Sequence, residues 1–157
     1  MPPPQVPPPP PLPGSPEALE QTRQDEALFD RWRHGILDKN REEVLDCDET
    51  FMTDAQRFGP QLEVFAQSEP DDRVRAFSTR VLGKYKNVAA VNVFQRLLTD
   101  RSEFVRQNAA WALGELAARP RGRELAAVAL GDLQRLQESD PAPDVRNAAG
   151  VALKKLQ

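Results

Sequence analysis

The chain has 157 residues, room for one domain with a substantial core. Its 21 basic and 24 acidic side chains leave a net charge of −3, which excludes the overall positive field of a general nucleic-acid binder. The lone cysteine, Cys47, excludes an internal disulfide, and no apolar run approaches the ~20 residues that a membrane-spanning helix needs.

Residues 1–16 hold ten of the 15 prolines. Proline fixes φ and removes an amide donor, so this tail is expected to be disordered or extended polyproline II. It reads as a solvated tail or linker, or as a ligand for an SH3-type groove through its Pro-x-x-Pro spacings, although no arginine or lysine flanks the tract. The opening Met1-Pro2-Pro3-Pro4 lacks the basic and apolar regions of a secretory signal, so a cytoplasmic location is expected.

Ser15-Pro16 is a helix start, with serine as N-cap and proline in the first turn. The helix it opens extends to about Leu37, with Phe29, Trp32 and Ile36 on one face and Leu28 widening it. The next segment, 41–54, is acidic: six carboxylates accompany Arg41 alone. Val44, Cys47, Phe51 and Met52 form its apolar stripe, and Cys47 is expected to be a small core residue.

Three later segments align without gaps: Val74–Tyr85, Val105–Leu116 and Val145–Leu156. Each opens with Val-Arg. Apolar or small residues follow at i+4, i+7, i+8 and i+11, a stripe that one helix face buries. Each copy is preceded by an Asp/Ser-rich turn suited to cap a helix and by an earlier apolar helix. Those earlier helices carry Leu62 and Phe65; Val91, Phe94, Leu97 and Leu98; and Leu125, Val128, Leu133 and Leu136. The repeating unit is therefore helix A, turn, helix B. A weaker copy precedes them, with Leu45 where the others have arginine. The units run about 17–55, 56–86, 87–119 and 120–157, so residues 17–157 form one repeat domain.

The string carried by Asp100, Val105, Arg106, Ala109, Ala110, Ala112, Leu113, Gly114 and Leu116 resembles the HEAT repeat, in particular the short bacterial, phycobilisome-lyase-like variety. The other copies match it in part. The resemblance implies an all-α fold, a right-handed α-α superhelix of about four helix pairs with the first degenerate. It also implies a structural ladder of Asp100, Asp140, Arg75, Arg106 and Arg146 along the stacked turns. Its family includes scaffolds and lyase- or chaperone-like subunits that act on a client protein, and fold alone does not choose between them.

In such solenoids the B helices line the concave surface. Taking the stripe opposite the core as i+2, i+5 and i+9 selects mostly small residues: Ala76, Thr79 and Gly83; Gln107, Ala110 and Gly114; and Asn147, Gly150 and Lys154. These predict a shallow groove that another backbone can approach. Trp111 beside it is either an exposed binding anchor or a packing residue between B helices. Arg80 and Lys84 add positive charge from the basic segment 74–86. The expected partner is thus a protein or peptide with acidic residues beside an apolar anchor, bound through Trp111, Arg80, Lys84, Gln107 and Asn147.

Catalytic chemistry finds no residues to carry it. His34 is the only histidine, which leaves no His-Glu metal pair, and no metal or cofactor is expected. Cys47 sits in an acidic helix that raises a thiol pKa, and no Gly-rich phosphate loop is present. The chain therefore reads as a binding module and not as an enzyme.

Overall fold

A computed structural model describes all 157 residues. The fold is all-α. Nine α-helices follow one another: α1 (Pro16–Leu37), α2 (Arg41–Thr53), α3 (Ala55–Ser68), α4 (Asp72–Lys84), α5 (Val91–Leu97), α6 (Glu103–Glu115), α7 (Pro120–Ala126), α8 (Leu130–Ser139) and α9 (Pro143–Leu156). None is long and apolar enough to cross a membrane. Residues 1–12 carry no regular element.

Local chemistry sets the helix starts. The Ser15 hydroxyl accepts from the Ala18 amide at 3.2 Å, with Pro16 in the first turn. Asn40, Asp54 and Asp71 accept from the amides of Glu43, Arg57 and Arg73 at 3.2, 3.1 and 2.8 Å. Between α1 and α2 the chain turns sharply through Lys39, whose φ of 58° is left-handed. The Asn40 amide then donates back to the Gly35 carbonyl at 2.8 Å, closing the α1 terminus.

The three Val-Arg helices are α4, α6 and α9. They lie side by side, α4 along α6 and α6 along α9. Their predicted stripes are buried: Val74, Ser78, Val81, Leu82 and Tyr85; Val105, Ala109, Ala112, Leu113 and Leu116; Val145, Ala149, Ala152, Leu153 and Leu156. The A layer is α1, α3, α5 and the α7–α8 pair, with α8 packed on α9 and α3 on α4. Unit four departs from expectation. Its A helix is broken by a 3-10 turn at 127–129, and Val128 within that turn is 60% exposed instead of buried.

Unit one departs further. Its interior is aromatic, with Phe29, Trp32 and Phe51 within 4.8–6.4 Å of one another. Met52, expected in the α2 stripe, is 45% exposed, and Asp48 takes the buried position instead. Asp48 stands at i+4 from Val44, where the other units place Ser78, Ala109 and Ala149. A carboxylate tolerates that burial because the Trp32 indole Nε1–H donates to it at 2.8 Å.

Candidate functional site

Helical geometry alone divides each B helix into a core face and its opposite. The structure divides it into three. The small residues at i+2, i+5 and i+9 do not form an open groove, because the next B helix covers them. Ala76, Thr79, Gly83, Ala110 and Gly114 are all buried. A Cβ on Gly83 would stand 2.9 Å from the Ala112 Cβ, and one on Gly114 would stand 3.0 Å from the Ala152 Cα. These residues set how closely α4, α6 and α9 approach. In α9 the corresponding Asn147 and Lys154 are exposed.

The solvent face of the B helices is instead i−1, i+3, i+6 and i+10. It comprises Arg73, Phe77, Arg80 and Lys84 on α4, then Phe104, Asn108, Trp111 and Glu115 on α6, then Asp144, Ala148, Val151 and Lys155 on α9. Trp111 lies on this face but is only half exposed. Its ring edge packs on Gly83, where a Cβ would meet Cζ3 at 2.6 Å. Trp111 therefore packs between α4 and α6 while part of its ring stays on the solvent face. Gln107 is half-buried and Asn147 stands at the far end of the stack, so neither joins Arg80 and Lys84.

The arginine-aspartate contacts run behind this face. Arg75, 3% exposed, forks onto Asp100 through Nε and Nη2 at 3.1 and 3.0 Å and donates to the carbonyls of Glu69 and Pro70 at 2.8 and 3.1 Å. Arg106 does the same with Asp140 at 2.8 and 3.1 Å and with the Asp100 carbonyl at 2.9 Å. Each aspartate also accepts from the amide two residues on. Burial works to raise the Asp140 carboxyl, but the Arg106 fork and the Ala142 amide outweigh it and hold the pKa below its usual range. Arg146 donates only to the carbonyls of Asp140 and Pro141.

Between units one and two this clamp is replaced. The residue five before Val74, matching Asp100 and Asp140, is Glu69. The matching position on α2 is Leu45, which has no donor. Glu69 is taken instead by Arg33 of α1 at 2.9 Å. α1 and α2 both touch α4 only lightly, in contrast to the close packing of α4 on α6.

The gap so left is a groove of about 360 Å³ between the α1–α2 turn, α2 and α4. Its buried floor is Ile36, Val44 and the Asp48 carboxyl, with half-buried Phe77 beside them. Lys39 and Arg41 rise on one side, Arg73, Arg80 and Lys84 on the other. Arg73 is paired with Asp71 at 2.9 Å. Lys39, Arg41, Arg80 and Lys84 form no ion pair and no side-chain hydrogen bond. Burial pushes the Asp48 pKa up, while the Trp32 hydrogen bond and the charges of Lys84 and Arg80 act against that rise. A second recess of about 300 Å³ shares Arg73, Phe77 and Arg80 and continues toward Phe104, which is 52% exposed. Sequence reasoning singled out Arg80 and Lys84 but missed Lys39, Arg41 and Phe77. The visible signal was Leu45, the one break in the Val-Arg series.

Elsewhere a larger groove between α1 and α3 is lined by Asp25, Glu26 and Asp30, and its Arg57 is already bound to Asp25. The imidazole Nδ1 of His34 sits 2.7 Å from the Asp30 carbonyl on its own helix. Burial pushes the Cys47 thiol up. No group of three His, Cys, Asp or Glu side chains stands close enough to hold a metal ion.

The sequence model of one protein family, described as HEAT repeats, matches residues 60–154. The match is to the repeat as a class and singles out no phycobilisome-lyase-like subtype. No curated protein matches the chain.

Proposed function

We propose, since the chain belongs to the HEAT-repeat family, that it is an interaction scaffold which holds a segment of another protein on the concave face of its B helices. HEAT repeats generally mediate protein–protein contact. The observation that carries the reading here is the groove between α2 and α4. It joins unpaired cations to a buried apolar floor and continues past Phe77 to the exposed Phe104. Exposed apolar surface rimmed by charge is what partner docking uses, the apolar part for affinity and the charges for orientation. Of the residues first selected for binding, Arg80 and Lys84 belong to this face. Trp111 lies on the same face, its ring edge packed on Gly83 of α4.

Site-directed photo-crosslinking tests the reading. A photoreactive side chain at Phe104 should capture a protein partner in extracts of the native cell, and the same group at Val64 on α3 should not. The captured partner should be lost on Phe77→Asp in the Phe104-labelled chain while the helical circular dichroism is retained. Capture of the same partner equally well from Val64 would refute a B-helix docking face.

A further inference from the structure

We propose that the groove between α2 and α4 takes an acidic peptide segment in which one large apolar side chain is flanked on both sides by carboxylates. The inference rests on the scaffold reading above and names the chemistry of its partner.

The size of the groove sets the first term. About 360 Å³ is near the lower limit for small-molecule pockets, so it suits one or two side chains and not an extended cofactor. The floor of Ile36, Val44 and Phe77 offers carbon to that side chain. The exposed part of Leu45 extends it toward solvent.

The placement of charge sets the second term. The rims are Lys39 and Arg41 on the α1–α2 side and Arg80 and Lys84 on the α4 side. Arg31, Arg33, Arg57, Arg75 and Arg106 each meet a carboxylate, whereas ladder residue Arg146 meets only carbonyls. The four rim cations meet none, in a chain whose net charge is −3. Acidic side chains are plentiful on α2 but do not turn into the groove, apart from buried Asp48. An occupant that brings its own carboxylates on either side of an apolar residue completes both rims at once.

The alternatives fit less well. A nucleic-acid strand needs cations that continue along its path with aromatic platforms between them. The matching face of α6 offers Phe104, Asn108, Trp111 and Glu115, so the positive charge ends with α4. A phosphate dianion pushed to the floor would meet Asp48, which is 8% exposed there. An apolar side chain over that carboxyl leaves the ligand's charges out at the rims, where Arg80 and Lys84 stand.

Fluorescence anisotropy on the full chain tests this with a labelled synthetic peptide bearing one central phenylalanine between pairs of glutamates. Replacing the glutamates by glutamine, or the phenylalanine by glycine, should each weaken binding by about tenfold or more, and added salt should weaken it further. The double substitution Arg80→Glu/Lys84→Glu should do the same. So should Lys39→Glu/Arg41→Glu on the opposite rim, which tests the idea independently if the first variant is poorly folded. Amide shifts should centre on Ile36, Val44 and Phe77. Three results would overturn the proposal: no binding of the glutamate peptide, indifference to both charge reversals, or tighter binding of a phosphopeptide or single-stranded oligonucleotide in the same groove. Failure of the peptide with crosslinking at Phe104 intact removes only the partner chemistry. Loss of site-specific crosslinking removes the scaffold reading itself.

Discussion

Replacing Arg75 by methionine isolates what the arginine–aspartate contacts contribute between units. Methionine keeps most of the volume and removes four hydrogen bonds: two to Asp100 and one each to the carbonyls of Glu69 and Pro70. The side chains of Arg75 and Asp100 are only 3% and 12% exposed, so water cannot take over the pairing. Breaking a buried pair from one side strands the other charge and typically destabilises by ~3–5 kcal/mol. At roughly 2–4 °C per kcal/mol for a chain of this size, Arg75→Met should lower the melting temperature by about 6–20 °C. Arg106→Met belongs to the same class, since its Asp140 partner is only 3% exposed. Arg146→Met does not. Arg146 bonds only two carbonyls and is half exposed, so about 1 kcal/mol and a few degrees are expected. The double variant Arg75→Met/Asp100→Asn should recover part of the loss, because asparagine keeps an acceptor for the Ser102 amide without a stranded charge. Thermal unfolding by circular dichroism at pH 7 measures all four. Equal losses for Arg146→Met and Arg75→Met, or no recovery in the double variant, would refute an inter-unit clamp.

Two further perturbations address the stacking and the groove floor. Gly83→Ala should destabilise by about 1–3 kcal/mol, because the new methyl would stand 3.1 Å from the Ala112 backbone as well as against Trp111, so two helices must part. Gly131→Ala, with nothing within 4 Å, should be neutral or stabilising by up to about 1 kcal/mol, and calorimetry on the pair checks the contrast. Asp48→Asn should raise the melting temperature at pH 7 and keep an acceptor for the Trp32 indole. Because burial raises the Asp48 pKa, the folded state favours the protonated carboxyl, and stability tied to it is lost as pH rises through the folded value. The gain from asparagine should therefore shrink to nothing below the ordinary aspartate range. Melts across pH that show asparagine less stable at pH 7 would mean that Arg80 and Lys84 more than offset the burial.

The repeat itself was legible because three Val-Arg helices share a spacing that only a common burial pattern produces. Two features were not legible for physical reasons. A helix inside a stack has three environments: core, neighbour and solvent. The apolar stripe locates the first but not the boundary between the other two, so small residues such as Ala76 and Gly114 read as open when the next helix covers them. Asp48 reads as surface because an acid at a core position needs a donor, and its donor, Trp32, comes from another helix. The groove was half legible. The basic character of 74–86 pointed to Arg80 and Lys84, whereas Lys39 and Arg41 became neighbours of that helix only once the left-handed turn at Lys39 brought α2 back beside it.

The location of the groove follows from where the repeat fails. Two devices close one unit onto the next: small residues that let B helices approach, and an arginine that forks onto the following aspartate. The α4–α6 and α6–α9 steps have both, and the recess of about 300 Å³ at Phe104 lies on the solvent face of α4 and α6. The α2–α4 step has neither. Leu45 supplies no fork, and Asp46 and Glu49 stand where Gln107 and Ala110 allow close contact in α6. Arg33 from α1 takes the acceptor at Glu69, and Phe51 of α2 packs on Phe58 of α3, so unit one is joined to the stack without the arginine–aspartate fork. α2 does not close against α4 as α4 closes against α6, and the groove between them leaves Phe77 and Leu45 partly open to solvent. Departure from the repeat pattern thus opens the groove proposed for docking, since a stack with every unit regular would have sealed its apolar floor under the next helix.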